Sequence, residues 1–453
     1  MLRFSESHRA ATALSQRRSR LLGSSCVTPM PSPRPPHTLV VNFNSPELNH
    51  LALALAEKGQ LSRYVRPYAN KGRWWERSLS SLPLPRGMVA ASFGRRRLQD
   101  AGLIALTREA GVWADLCAAS IARMPALPAA ERHRWASAMR KQVRVAIARE
   151  AARHAPQAGC VVAYEGFALP AFEALRPGAC AVLNYPVAHH RLRRRVRDEE
   201  LEREPGFAAS WPGFDDWPAG HEERLDEEIE RAAAVLVGSN YARDSFIAEG
   251  VPAAKMRVGP YGVDLANFHP ASQPRPESDL FRAIFTGQLT QRKGLSYLLR
   301  GYRRFQRADS RLTLVGSFVG GLQSLRPFAD LFEHVPHQTR AGLAQLYRAS
   351  DVFVFPTLVE GMPLVVLEAM ACGLPVIVTA NGPADIVRDG IDGFIIPERD
   401  ADALCDRLEC LYRDRELRLW MGENAAARAR EFSWTAYGNA ARTCLDDLTA
   451  GRT

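Results

Sequence analysis

Short, unbroken apolar runs alternate with longer amphipathic stretches from Thr38 almost to the carboxyl terminus. Thr38-Leu39-Val40-Val41-Asn42-Phe43 reads as a buried strand. Ser45-Pro46-Glu47 follows as a serine N-cap with proline at the first helical position, and Leu48, Leu51 and Leu55 then recur at helical spacing until Gly59. Cys160-Val161-Val162-Ala163-Tyr164, Ala181-Val182-Leu183-Asn184-Tyr185 and Ala234-Val235-Leu236-Val237 are further strands, while residues 98–154 are Ala- and Arg-rich with helical periodicity. Strands that are apolar on both faces and separated by helices require a parallel sheet covered on each side.

The alternation breaks once. From Asp264 to Asp279 the chain carries Pro270, Pro274 and Pro276 and few apolar residues, which reads as an interdomain linker. It then restarts with strands around Ala283-Ile284-Phe285-Thr286, Leu312-Thr313-Leu314-Val315, Val352-Phe353-Val354-Phe355, Val376-Ile377-Val378-Thr379 and Phe394-Ile395-Ile396. With 453 residues available, the expectation is an α/β protein of two doubly wound domains facing each other across a cleft. The expected divisions are an extension over 1–36, a first domain over 37–265, a linker over 266–279, a second domain over 280–432 and a terminal helix over 433–453. The extension is basic and ends in Pro29-Met30-Pro31-Ser32-Pro33-Arg34-Pro35-Pro36, which lacks the backbone N–H groups for helix or sheet and reads as disordered.

Composition narrows the function. No run of about 18 apolar residues is present to span a bilayer, and only Leu21 and Leu22 stand where a signal peptide needs a longer apolar stretch. Eight cysteines without a CxxC pair argue for reduced thiols rather than a disulfide or zinc framework. The expectation is a cytoplasmic protein. The net charge of +10 suits an anionic partner, but biased codon usage also accounts for arginine excess. No aromatic-interleaved basic groove or helix-turn-helix pattern supports nucleic acid. The Arg runs at 94–97 and 191–197 instead offer peripheral contact with an anionic membrane face.

Chemistry concentrates after the linker. Gly287 stands at a strand end, and Arg292-Lys293 follows before the next helix, where fixed positive charge can meet phosphate oxygens. His334-Val335-Pro336-His337 precedes a helix expected over 342–350 and reads either as an ordinary loop or as an edge for a nucleotide base. The strand ending in Phe355-Pro356 leads into the turn Glu360-Gly361-Met362-Pro363-Leu364 and a helix carrying Glu368. Free N–H groups and the macrodipole at that helix start suit a phosphate. Glu368 is embedded in apolar sequence where an unpaired carboxylate is costly, which points to a binding role.

The Glu360 and Glu368 strand-turn-helix resembles the E-x7-E signature of retaining GT-B glycosyltransferases, most closely glycosyltransferase family 4. Ala233-Ala234-Val235-Leu236-Val237-Gly238-Ser239-Asn240, Pro260-Tyr261-Gly262-Val263-Asp264 with Phe268, Asn381-Gly382-Pro383 with Asp389-Gly390-Ile391-Asp392-Gly393, and Phe432-Ser433-Trp434 resemble further family segments in the same order. The match runs from about residue 224 to the end. The resemblance implies a GT-B fold with a terminal helix crossing back to the first domain. It implies a nucleotide diphosphate sugar as donor substrate, no cofactor and no metal. Arg292 and Lys293 would neutralise the leaving diphosphate, Glu360 would hold the donor sugar and Glu368 the ribose. Backbone amides of Gly361, Met362, Pro363 and Leu364 (proline excepted as a donor) would line the donor site, with Gly287 and Val335 alongside.

Three departures stand out. Asn42 to Pro46 lacks the family's Gly-Gly loop; Asp385 and Pro383 replace the usual Glu and second Gly; and no His ends the strand at Leu183-Asn184-Tyr185. His189 or His190 then lines the acceptor side, or Tyr185 fills the position, or the pair belongs to a solvated basic helix face. The acceptor is expected to be a hydroxyl of a glycan, a lipid-linked glycan or a small molecule. A different GT-B sugar-nucleotide enzyme, such as an epimerase or hydrolase, and a non-catalytic basic surface-binding protein are the competing readings.

Overall fold

In the computed structural model the described residues are 37–73, 76, 96–98, 100–122, 124, 128–211, 220–273, 278–320 and 323–450. The expected extension 1–36, Arg95, the loop residues Asp215 and Asp216 and part of the expected linker lie outside them.

Thirteen strands among these residues form two wholly parallel sheets. The first contains β1 (Thr38–Val41), β2 (Leu61–Arg66), β3 (Thr107–Glu109), β4 (Cys160–Tyr164), β5 (Cys180–Asn184), β6 (Ala234–Val237) and β7 (Met256–Val258), in the order β3-β2-β1-β4-β5-β6-β7. The second contains β8 (Phe281–Thr286), β9 (Ser310–Val315), β10 (Phe332–Val335), β11 (Val352–Phe355), β12 (Val376–Thr379) and β13 (Gly393–Ile396), in the order β10-β9-β8-β11-β12-β13. Each sheet therefore reverses its winding at its first strand, between β1 and β4 and between β8 and β11. Ligands of doubly wound sheets bind beyond the carboxyl ends of the strands at such points.

The central strands β1, β6, β11 and β12 are buried at every position, as expected of strands with helices on both faces. The sequence reading missed β2, β3, β7 and β10. Ser62 and Arg63 interrupt the first of these, and the others have three or four residues with polar members. Residues His334 and Val335 belong to the edge strand β10 rather than to a loop. The following helix spans Arg340–Arg348, two residues earlier than expected, because Thr339 caps it by accepting from the Gly342 N–H at 3.1 Å.

The terminal helix Trp434–Ala450 packs on the helix Pro46–Glu57 of the first sheet. Trp434 stacks on His50 with ring centroids 4.3 Å apart, and Gln60 Nε2 donates to Asp446 at 2.8 Å. A side chain at Gly438 would come within 3.1 Å of the His50 carbonyl, so glycine sets how closely the two helices approach. The expected crossover is present.

Candidate active site

Register brings the two site loops together. Ala283 and Ile284 of β8 pair with Val352 and Phe353 of β11, so the loops leaving these strands are neighbours. After β8 the chain forms a single turn, Gln291–Lys293, closed by Gly294 in a left-handed conformation at φ 72°. A Cβ there would lie 1.9 Å from the Pro356 carbonyl oxygen, so only glycine admits this contact. The Arg292 carbonyl then accepts from the Leu358 N–H at 3.0 Å and from Thr357 Oγ1 at 3.3 Å. Backbone geometry thus laces the basic turn to the loop carrying Glu360.

The charged side chains converge. Arg292 Nη1 lies 2.9 Å and Lys293 Nζ 3.1 Å from Glu360 Oε1. Arg292 Nη1 also donates to the Val359 carbonyl at 2.9 Å, and the Lys293 ammonium sits 4.6 Å from the Phe355 ring centroid. All three side chains are largely buried, at 17%, 11% and 10% exposure for Arg292, Lys293 and Glu360. Burial alone would raise the Glu360 carboxyl, but Arg292 and Lys293 outweigh it and hold it below the usual carboxylate range. Burial presses the Lys293 ammonium down against the opposing pull of Glu360. Two cations share one carboxylate, so the cluster keeps a net positive charge in a site of low polarity.

Gly287, Gly316 and Val335 follow one another across the same edge. Gly287 directly follows β8 at φ 135°, and a side chain there would meet the Lys293 Cε and Nζ at 3.5 Å. The Gly316 N–H donates to the Val335 carbonyl at 2.9 Å, and His334 Nε2 is 2.8 Å from the Gly316 carbonyl oxygen.

Glu368 has different electrostatic neighbours. It sits in the helix Leu364–Ala371, for which Pro363 is the N-cap rather than the first helical residue. Burial raises its carboxyl to about 7, Arg340 lowers it and Asp264 raises it. Arg340 Nη1 and Asp264 Oδ2 are themselves 3.0 Å apart.

The segment between Glu360 and that helix is held by the first sheet's side of the molecule. Val187 forms an antiparallel bridge to Gly361, whose carbonyl accepts from Ser239 Oγ at 2.7 Å. Met362 Sδ accepts from the Tyr261 N–H at 2.9 Å. Asp385, which replaces the family's usual Glu, accepts from Asn240 Nδ2 at 2.9 Å and from the Asn240 N–H. Its carboxylate is thereby engaged by the first domain.

His189 and His190 stand on that same first-domain segment. His189 caps the helix His190–Arg203, its Nδ1 accepting from the Arg191 N–H at 3.2 Å. His190 is fully buried, with Nε2 3.1 Å from Asp226 Oδ1 and Nδ1 3.3 Å from the Tyr185 hydroxyl. Burial, His189 and Arg193 hold His190 down to about 2, and burial holds His189 down to about 4, so both are neutral near pH 7. The reading of this pair as a solvated basic face is corrected: the rings are in the interior. His189, His190 and Asp226 have ligand atoms within 4.8 Å of one another, the make-up of a metal site, but Arg191 Nη2 lies 2.6 Å from Asp226 Oδ2 and competes for that carboxylate. The basic run is also internally compensated: Arg191 pairs with Asp226, Arg193 with Glu165, Arg194 with Glu222, Arg195 with Glu249 and Arg197 with Asp198.

The sequence reading missed one supporting residue. Glu200, 1% exposed, accepts from Gln291 Nε2 at 2.8 Å, from the Tyr297 hydroxyl at 3.2 Å and from Arg399 Nε at 2.6 Å. It grips the basic turn through the residue before Arg292. Arg399 is held at φ 62°, a left-handed conformation rare outside glycine, and it also pairs with Glu199 and Glu398.

Residues 281–414, which contain Gly287, Arg292, Lys293, Val335, Glu360 and Glu368, match the family model for glycosyl transferases group 1. This segment belongs to that family. A D-inositol 3-phosphate glycosyltransferase of Paenarthrobacter aurescens (strain TC1) is 31% identical over 236 residues, covering 48% of this chain and 58% of that protein. One of Arthrobacter sp. (strain FB24) is 35% identical over 195 residues, covering 39% of this chain and 46% of that protein. The chain thus spans about half the length of the relatives it matches. Two solved structures share the GT-B fold across the molecule. Sucrose-phosphate synthase from Thermosynechococcus elongatus superposes with a TM-score of 0.62 at 18% identity, covering 91% of this chain and 99% of that one. HepE of Anabaena, in complex with UDP and glucose, superposes with a TM-score of 0.58 at 15% identity, covering 90% and 99%. Among the described residues no helix is long and apolar enough to cross a membrane.

Proposed function

We propose that the chain transfers a glycosyl group from a nucleotide diphosphate sugar to an acceptor hydroxyl with retention of anomeric configuration. The single observation that carries this reading is the convergence of Arg292 and Lys293 on Glu360 at the carboxyl ends of β8 and β11. A departing diphosphate needs positive charge fixed before it leaves, and a largely buried cation pair supplies it without reorganisation. In this reading Arg292 and Lys293 take the diphosphate, which does the work a divalent ion does in metal-dependent transferases. Glu360, released from part of its pairing, accepts from donor-sugar hydroxyls. Glu368 takes the ribose hydroxyls, and Gly287, Val335 and the backbone of Gly361, Met362 and Leu364 shape the donor pocket, with Pro363 setting the helix start.

The first domain, 37–265, takes the acceptor and the second, 280–432, the donor. The acceptor proton passes to the leaving diphosphate oxygen on the face from which it departs, and the protein contributes position and electrostatics. His189 and His190 border the acceptor side as neutral groups. UDP is the first nucleotide to test, because HepE was solved with it. The test is a panel of UDP-sugars with and without a mixed acceptor pool, followed by assignment of the product anomer by NMR. Acceptor-dependent UDP release with a retained anomer supports the reading. UDP release independent of any acceptor points to a hydrolase, and a C2- or C4-inverted sugar nucleotide points to an epimerase.

A further inference from the structure

Four of the nine large apolar side chains exposed among the described residues lie on or beside one pair of consecutive helices, Val112–Ile121 and Ala129–His154. They are Trp113 at 81% exposure, Met124 at 49%, Trp135 at 48% and Val145 at 44%. Two contacts fix how the helices pair. A Cβ at Gly111 would lie 3.0 Å from the Val143 Cα and 3.2 Å from the Ala146 Cβ, and Arg132 Nη1 donates to the Met124 carbonyl at 3.1 Å. The pair is thus an antiparallel hairpin, with Trp113 at the Val145 end and Met124 at the Trp135 end.

The longer helix has two unlike faces. Val143, Ile147 and Ala151 are buried in the first sheet's core. Arg134, Lys141, Val145 and Arg149 are exposed and fall two residues out of phase with them, on the opposite side of the helix. Trp135 borders this stripe, with the Arg134 guanidinium carbon 5.3 Å from its ring centroid. On the shorter helix the exposed positions Trp113, Cys117 and Ser120 recur at helical spacing and carry no fixed charge.

Little on the hairpin offsets these cations. Asp115 is buried and paired with Arg96 at 2.7 Å, and Glu150 is taken by Arg153 and His154 at 3.0 and 3.1 Å. The sequence between Asp115 and Glu131 holds no acid, so Glu131, in the first turn of the longer helix, is the one exposed carboxylate among the hairpin's described residues. The arginines from 191 to 197, which look like the basic surface in sequence, are by contrast neutralised by their partners.

We propose that this hairpin face docks peripherally on an anionic lipid bilayer. Trp113, Met124, Trp135 and Val145 enter the boundary between headgroups and acyl chains, and Arg134, Lys141 and Arg149 meet the anionic headgroups. Tryptophan and aliphatic side chains interleaved with cations suit an interface that is negative at its surface and apolar just beneath. A second copy of this chain would set the same cations against one another, and a nucleic acid offers no apolar phase to Met124 and Val145. The surface stands independently of the glycosyl-transfer reading.

The test floats the full chain on vesicles containing phosphatidylglycerol and on pure phosphatidylcholine vesicles at the same low salt concentration. Binding to the anionic vesicles is expected, at least about tenfold stronger than to phosphatidylcholine. R134Q/K141Q/R149Q is expected to weaken it by about a hundredfold, roughly fivefold for each cation near a charged surface. W113S/W135S is expected to weaken it by about tenfold or more through lost apolar insertion. R194Q/R195Q, on the compensated run, is expected to change it by less than about threefold. All the substituted side chains are exposed, and circular dichroism checks that each variant is folded. No binding to the anionic vesicles, binding undiminished in both hairpin variants, or an equal loss in R194Q/R195Q overturns the proposal. So does a dimer in sedimentation velocity that W113S/W135S abolishes, which gives the face to a second copy. Binding of single-stranded DNA without vesicle binding likewise overturns it.

Discussion

Lys293 Nζ stands 3.1 Å from Glu360 Oε1, joining the loop after β8 to the loop after β11. With Arg292 on the same carboxylate oxygen, the site holds a preformed cation pair with one counter-charge. Such a cluster is poised to trade part of its internal pairing for an incoming diphosphate.

Replacing Glu360 by Gln separates the two roles assigned to it. The cations lose their internal competitor, so UDP affinity is expected to stay within about threefold or to tighten, while transfer falls by about a hundredfold or more through loss of a transition-state contact. Calorimetry for UDP and steady-state transfer on the same preparation check both halves.

Glu368 gives a pH signature with a definite sign. Its native pKa, about 7, lies above the ordinary 4.5. The native state therefore holds an extra proton between these values, and stability falls as pH rises from about 4.5 to about 7, then levels off. In Glu368→Gln this part of the slope vanishes, so the variant gains on the unaltered chain by about 1–3 kcal/mol between pH 5 and pH 8 in urea unfolding. With Glu368 on the ribose hydroxyls as proposed, UDP binding is expected to strengthen through about pH 7 in the unaltered chain and to do so less in the variant.

Gly361 admits the first domain to the site. A Cβ at this position would lie 1.8 Å from the Pro186 carbonyl oxygen. Gly361→Ala is expected to force the two domains apart locally, cutting transfer by about a hundredfold and costing about 1–3 kcal/mol, with both sheets retained by circular dichroism.

Glu200 is a positioning residue. Removing it as Glu200→Ala takes the shared acceptor from Arg399, Tyr297 and Gln291, and a loss of about 3–5 kcal/mol is expected for breaking a buried pair. Glu200→Gln keeps the shape and two of the acceptor contacts. It is expected to lower UDP affinity several-fold by loosening the turn that carries Arg292 and Lys293, with a smaller change in the melting temperature.

The fold and the heart of the site were legible for the same reason. Strands such as Val352-Phe353-Val354-Phe355 are apolar on both faces, and the loops that follow them carry Gly287, Arg292, Lys293 and Glu360 in sequence order. Features made by long-range contact were not legible. Glu200 lies in a highly charged helix, and nothing in its neighbourhood reveals that it turns inward to meet Gln291 and Arg399. The arginines from 191 to 197 read as a basic patch because their partners Asp226, Glu165, Glu222 and Glu249 are distant in sequence. A solvated face was one of the readings open for His190 beside them, yet tertiary packing buries it completely.

The most direct measurement is calorimetric titration of UDP into the unaltered chain and into Lys293→Met, at one pH and salt concentration. Saturable binding that weakens about thirtyfold or more in the variant, equivalent to about 2 kcal/mol, is the result this account gives. UDP bound equally by both chains would contradict it, because the diphosphate would then rest elsewhere than on the cations gathered at Glu360.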